Sequence, residues 1–226
     1  MIIMYSLIDF FKGDYERTVN EKMFYRNFVL EDDHFSEYVK QILYTSYVAF
    51  LKYVITLPIP SYLIFQDVVQ YSSLDDATNT ICCVLSQSGD KGESNLSIGK
   101  LLLNDGVVRN DMAYSKYGEN HAKTAMELGL VQRNSGYYFL TALGEAYNDL
   151  SEENKFQLIR RTVLRNRFTQ KILIKAQSQP VDLASEMSFF SEKTIRRRLP
   201  NVKGFLRLIT CGTEEEASFL SNVDLC

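Results

Sequence analysis

Phe35, Tyr38, Val39, Ile42, Leu43, Ser46, Ala49, Phe50 and Tyr53 recur at steps of three and four, the spacing of one broad and mostly apolar helical face. Asp32 and Asp33 precede the run, where carboxylates suit the free N–H groups of a helix start, and Pro58 closes it. The same period predicts helices over residues 74–86, 98–103 and 114–128, with a polar loop at 87–95. It then changes. Residues 130–133 and 137–140 alternate around Asn134, Ser135 and Gly136, which predicts a tight hairpin. Thr141 is placed to cap a further helix that turns Leu143, Ala146, Tyr147 and Leu150 inward.

Three helices, a hairpin and a helix are the element order of a winged helix. The expected fold class is therefore mainly α with small β-hairpin wings. Its domains are an aromatic-rich helical segment over 1–72, a first winged-helix unit over 73–150 and a second, basic one over 151–226. Of 28 Phe and Tyr residues, 16 fall before residue 74, which gives the first segment a packing character of its own.

Composition narrows the class: 46% apolar and 23% charged residues exclude a disordered chain, a collagen-like rod and a small disulfide scaffold. Cys82, Cys83, Cys211 and Cys226 form no C-x-x-C pair and have no histidine beside them, so zinc spacing is missing and a reducing cytoplasm fits. Cys82 and Cys83 read as small buried thiols. His34 and His121 make no ligand set, and His121 reads as packing or facing solvent rather than as a ligand. Neither a metal nor a cofactor is expected. The opening residues lack the basic flank and cleavage site of a secretory signal. The apolar stretch 42–65 is interrupted by Thr45, Ser46, Lys52, Pro58 and Pro60, so it reads as a buried helix rather than a membrane span.

Net charge is only -3, but its distribution is uneven. Between Lys155 and Arg207 stand 13 basic residues and three acidic ones, a local excess of ten that leaves the remainder thirteen negative. Such a concentration is the electrostatic footprint of a phosphate-binding face. Within it, Ser191 can cap a helix on which Ile195 and Leu199 share the inner side, while Lys193, Arg196 and Arg197 align at i, i+3 and i+4. Thr194 and Arg198 flank them. A helix so patterned suits the major groove, where arginine forks clasp guanine edges or phosphates. Residues 182–187 would be the preceding helix of the turn. Arg160, Arg161, Arg165, Arg167 and Lys171 are the expected phosphate anchors, joined by Lys203 and by Arg133 on the hairpin. The first unit adds only Lys116 and Lys123, offset by Glu119 and Glu127.

The run from Ala113 to Val131, ending in Leu128, Gly129, Leu130 and Val131, and the exit through Tyr138, Leu140, Thr141 and Gly144 resemble winged-helix modules of bacterial restriction-modification and related defence proteins. Ser191, Thr194, Ile195, Arg197, Arg198 and Leu199 resemble the recognition helix of a second such module. The likeness covers residues 74–210. It implies double-stranded DNA as partner and a sequence-recognition or accessory role, beside a nuclease or methyltransferase subunit. A transcription regulator with an N-terminal effector or dimerisation domain, a homodimer included, an endonuclease subunit with an unrecognised site, and a pure protein-interaction adaptor, which the acidic remainder and the thin charge of the first unit would suit, are the open alternatives. A metal-dependent nuclease core needs an acidic residue and a Glu-x-Lys on adjacent strands. Glu153 and Lys155 have that spacing but sit at a helix start, so no catalytic residue is assigned.

Overall fold

Residues 7–12, 14–17, 23–30 and 35–225 are described by a computed structural model that is mainly helical, with two small sheets and one isolated β-bridge. Asp32, Asp33, His34 and Cys226 lie outside these residues. The first segment is not purely helical: after α1 (Leu7–Phe10), strands β1 (Asp14–Arg17) and β2 (Met23–Asn27) pair antiparallel with an irregularity between Glu16 and Arg17.

The long apolar run forms two helices rather than one. α2 (Phe35–Tyr44) ends where the Thr45 hydroxyl donates to the Gln41 carbonyl at 2.7 Å, and Ser46 leaves the helical region with φ -51° and ψ 128° before α3 (Tyr47–Val54) begins. Hydroxyls near a backbone ladder weaken it locally. The stronger cause lies far along the chain. Arg161 Nη2 donates to the carbonyls of Leu43 and Thr45 at 3.2 and 2.9 Å, satisfying acceptors that the end of a helix leaves bare.

In the middle of the chain a wide turn at Asp76–Thr80 leads into α4 (Ile81–Ser88), followed by β3 (Glu93–Ser94), α5 (Asn95–Leu102), α6 (Asp111–Glu127), β4 (Val131–Asn134), β5 (Tyr137–Leu140) and α7 (Ala142–Asn148). The starts are written in the sequence. Ser94, Asn110 and Thr141 accept with their side chains from the N–H groups of Ser97, Ala113 and Gly144. Ser135 and Gly136 both take positive φ, 50° and 90°, as a two-residue hairpin connection requires. β5 lies centrally, antiparallel to both β3 and β4. α5 and α6 meet backbone to backbone. A methyl group on Gly99 would lie 1.8 Å from the Tyr114 carbonyl oxygen, and one on Gly118 would lie 2.1 Å from that of Asn95.

The last segment holds α8 (Glu152–Val163), α9 (Arg167–Ala176), α10 (Leu183–Glu186), α11 (Glu192–Thr210) and α12 (Glu214–Ser218). Among the described residues 151–225 there is no hairpin; the β contact found there is a single parallel bridge between Val181 and Val223. The wing expected of the second unit is therefore missing from these residues. α11 also continues past Leu199 and through Pro200. Proline removes one ladder bond, but the buried stripe of Val202, Phe205, Leu206 and Ile209 beyond it holds the helix on course. One buried apolar cluster runs from Phe10 to Val223, so the boundaries drawn at 72 and 150 cross a shared core. No helix among the described residues is long and apolar enough to cross a membrane.

Candidate nucleic-acid interface

Most of the late basic residues turn inward, because the chain uses them to satisfy carbonyl groups. Arg160 is 4% exposed. Its Nε donates to Leu208 O at 2.8 Å and its Nη2 to Ile209 O at 3.1 Å, closing the end of α11, while Glu216 neutralises it and Tyr47 lies 4.1 Å beneath. Arg161 closes α2 as described, and also donates to the Gln157 carbonyl at 2.9 Å. Arg165 is 0% exposed, set 4.2 Å from the Phe28 ring and 5.3 Å from Phe10, with Nη2 on Lys12 O at 3.2 Å. These three are corrected as phosphate anchors: a guanidinium enclosed by carbonyls and rings does not reach a duplex. Burial pulls the Arg165 pKa down to about 9.

Others are committed on the surface. Lys171 and Lys175 share the Glu186 carboxylate, the first at 2.8 Å, and Lys203 lies 3.5 Å from Asp224. Arg207 donates to Leu225 O. Arg167, half-buried, opens α9. Arg198 folds back from α11, donating to Phe65 O at 2.9 Å and to Val68 O, with Phe190 4.7 Å away. Burial lowers its pKa to about 10. It pins α11 to residues 65–68 instead of facing outward.

What stays exposed is the first part of α11. Ser191 is the N-cap, its hydroxyl 3.0 Å from that of Thr194, and Lys193, Arg196 and Arg197 stand clear of the core on one face. Arg196 pairs with Glu192 one turn earlier. Ile195 and Leu199 pack on the opposite side. α10 precedes, capped by Asp182 on the Ala184 N–H at 3.0 Å, and Phe189 and Phe190 fill the connection with ring centroids 4.4 Å apart. A second cationic strip lies on α6 and the hairpin. Lys116 and Lys123 both bind Glu119, at 2.6 and 2.5 Å, and Arg133 and Lys123 lie 4.3 and 5.1 Å from the Tyr25 ring. Burial alone would raise the Glu119 pKa, but the two lysines outweigh it and hold it below the usual range. Lys116, Lys123 and Arg198 line a small cavity of about 70 Å³ between α6 and residues 65–70.

Glu127, read from the sequence as a surface charge, is fully buried instead. It accepts from Asn166 Nδ2 at 2.9 Å and lies 3.9 Å from Arg26 Nη1, whose main partner is the equally buried Asp67. Burial first, and the Asp67 charge second, push the Glu127 pKa up to about 8. A carboxyl whose pKa is higher in the folded than in the unfolded chain stabilises below its ordinary range, near 4.5, and loses that contribution as pH rises through about 8. Folding stability is therefore expected to fall between pH 6 and 7.5 by up to about 1.4 kcal/mol per pH unit. Glu127→Gln keeps the shape and should flatten that slope in urea titrations at the two pH values. Equal slopes in both proteins would assign the dependence elsewhere.

Of the two readings of His121, packing or facing solvent, the structure shows the first: the ring is buried. Its Nδ1 lies 2.8 Å from the Tyr117 carbonyl, and its Nε2 is 3.3 Å from both the N–H and hydroxyl of Ser72. Burial lowers its pKa. Ser72 also donates to Tyr117 Oη at 2.9 Å, and that hydroxyl donates to Asp76 at 2.7 Å, so this cluster ties residues 72–76 to α6. Cys82 is buried but Cys83 is exposed, which corrects its reading as a core thiol. Lys155 pairs with Glu152 at 3.0 Å at the start of α8. Among the described residues, no group of three or more His, Cys, Asp or Glu side chains is placed to hold a metal ion. No family model, curated protein or solved structure matches the chain.

Proposed function

We propose that the chain binds double-stranded DNA without acting on it, and serves as a recognition or accessory component of a bacterial restriction-modification or related defence system. One observation carries the DNA reading: on α11, Lys193, Arg196 and Arg197 form an exposed cationic face, while Ile195, Leu199 and the inward Arg198 fasten the other side. The defence setting rests on the resemblance at residues 113–147. The order α4, β3, α5, α6, β4, β5, with β5 between β3 and β4, supports a winged-helix reading of residues 73–150. α10 and α11 support a helix-turn-helix without a wing.

In this reading the N-terminal half of α11 enters the major groove, its free N–H groups and dipole favouring phosphate, its two arginines reading guanine edges. With three cations rather than a broad cluster, log K is expected to fall with log salt at a slope of about -3. Arg196→Ala with Arg197→Ala should cost about 1–3 kcal/mol for each guanine edge that goes unread and leave thermal melting unchanged, since both side chains are exposed. Unaltered affinity in a mobility-shift titration would remove α11 from the interface.

A protein-docking role is the second reading. Leu101, Val107, Val108 and Met112 are exposed together at the α5–α6 connection, Val108 at 93% and Met112 at 82%. The neighbouring charges are already paired, Arg109 with Asp105 and Lys100 with Asp111. Apolar surface flanked by neutralised ions suits a protein rather than a polyanion. Failure to bind any duplex at low salt would select it.

A further inference from the structure

Three phenylalanine rings run together at the start of α11. Phe65 lies 5.4 Å from Phe190, and Phe190 lies 4.4 Å from Phe189. Of the three, Phe190 packs against the core. Phe65 and Phe189 are 56% and 46% exposed, although a ring left in water forgoes the stabilisation that burial brings.

Cations border these rings on two sides. Phe189 and Phe190 lead directly into α11, whose exposed Lys193 and Arg197 make no ion pair among the described residues. On the other side, Phe65 shares a cavity wall with Lys116, Lys123 and Arg198, three cations with one carboxylate, Glu119, between them. Arg198 also lies 4.7 Å from the Phe190 ring and so joins the two groups. The apolar patch at the α5–α6 connection is the opposite case, since its flanking charges are already neutralised. Rings beside cations in excess match a single strand of nucleic acid, in which every base offers a flat π face and the phosphates between bases supply the negative charge. Inside an intact duplex those faces are covered by the neighbouring pairs.

We propose that this surface takes unpaired bases: a strand leaving the duplex beside α11 stacks on Phe189 and Phe65, and its phosphates pass on toward Lys116 and Lys123. The preferred ligand is then a duplex with a single-stranded extension rather than a blunt one. The proposal rests on the DNA reading of α11 and adds to it the kind of DNA that is bound.

A blunt duplex, the same duplex with a short oligothymidine extension on either strand, and the extension alone, each titrated against the full chain at one salt concentration, test it. The extension is expected to tighten binding at least about fivefold, the effect of one stacked base at its weakest. Phe65→Ala with Phe189→Ala should remove that gain and bring the extended duplex to the affinity of the blunt one. Phe189→Leu keeps the apolar bulk without the flat face and should lose part of the gain, which decides the matter should the double variant fail to fold. The chain contains no tryptophan, so Phe189→Trp places a single indole on the surface. Its fluorescence should be quenched by the extended duplex and hardly altered by the blunt one. Equal affinity for blunt and extended duplexes, with both still weakened by Arg196→Ala and Arg197→Ala, overturns the proposal and leaves the DNA reading standing. A gain that survives the loss of both rings overturns it as well. Binding of none of the three ligands removes the DNA reading and this proposal together, and leaves the exposed rings to a protein partner.

Discussion

Replacing Arg26 with alanine is expected to remove about 3–5 kcal/mol of folding stability, because breaking a buried ion pair from one side leaves the other charge enclosed and uncompensated. Arg26 and Asp67 are each 1% exposed, and Glu127 is wholly buried beside them. The Arg26 backbone separately exchanges hydrogen bonds with the Gln66 side chain, its N–H donating at 2.8 Å and its carbonyl accepting at 3.1 Å, and these bonds between β2 and residues 64–67 outlast the substitution; what is lost is the guanidinium. Without it, Asp67 and Glu127 face one another and hold protons more tightly in the folded than in the unfolded chain. The variant should then be least damaged in acid and lose stability as pH rises. Replacing both partners, Arg26→Met with Asp67→Leu, should recover most of the loss, since the desolvation cost of the pair is removed with it. Urea midpoints for the three proteins at pH 6 and pH 7.5 decide the matter. A loss below about 1 kcal/mol for Arg26→Ala at the higher pH would show that solvent reaches the cluster.

Gly118→Ala and Gly99→Ala are each expected to cost about 2–3 kcal/mol, and here the sign is diagnostic. In an open helix interior, glycine to alanine gains up to about 1 kcal/mol. In α5 and α6 the added carbon would stand 1.8 or 2.1 Å from a backbone carbonyl oxygen of the facing helix, and a backbone cannot swing aside as a long side chain can. The helices have to separate, opening the contact around buried Ile98 and Ala122. Chemical denaturation of the two variants would detect this directly. A gain in stability from either would mean that α5 and α6 sit farther apart than described.

The sequence makes visible those elements whose causes are close along the chain. Thr141 and Gly144 are three residues apart, and Ser135 and Gly136 are adjacent, so a cap and a hairpin could be read where they occur. The exposed part of α11 was legible for the same reason, since Lys193, Arg196 and Arg197 share a face by helical spacing alone. Arg160, Arg161 and Arg165 were misread because their partners are the carbonyls of Leu208, Leu43 and Lys12, which carry no residue-type signature. An arginine that serves a helix end has the same letter as one that serves a phosphate. One signal was present: Leu158, Ile159, Val163 and Leu164 surround these arginines so closely that little of the circumference is left for water. Arg198 lacked even that cue. The break between α2 and α3 went unseen because the side chain that stabilises it is more than a hundred residues away.

That distance has a consequence for how the chain is made. Synthesis delivers α2 long before α8, yet the acceptors at Leu43 and Thr45 receive their donor from a residue 118 and 116 positions downstream. Until the ribosome has released α8, the terminus of α2 has only water to bond, and the aromatic side chains on α2 and α3 lack the surface they bury against. α2 and α3 are thus made well before they can settle, and a stall in elongation ahead of Arg161 would present a sticky nascent segment for chaperones to hold.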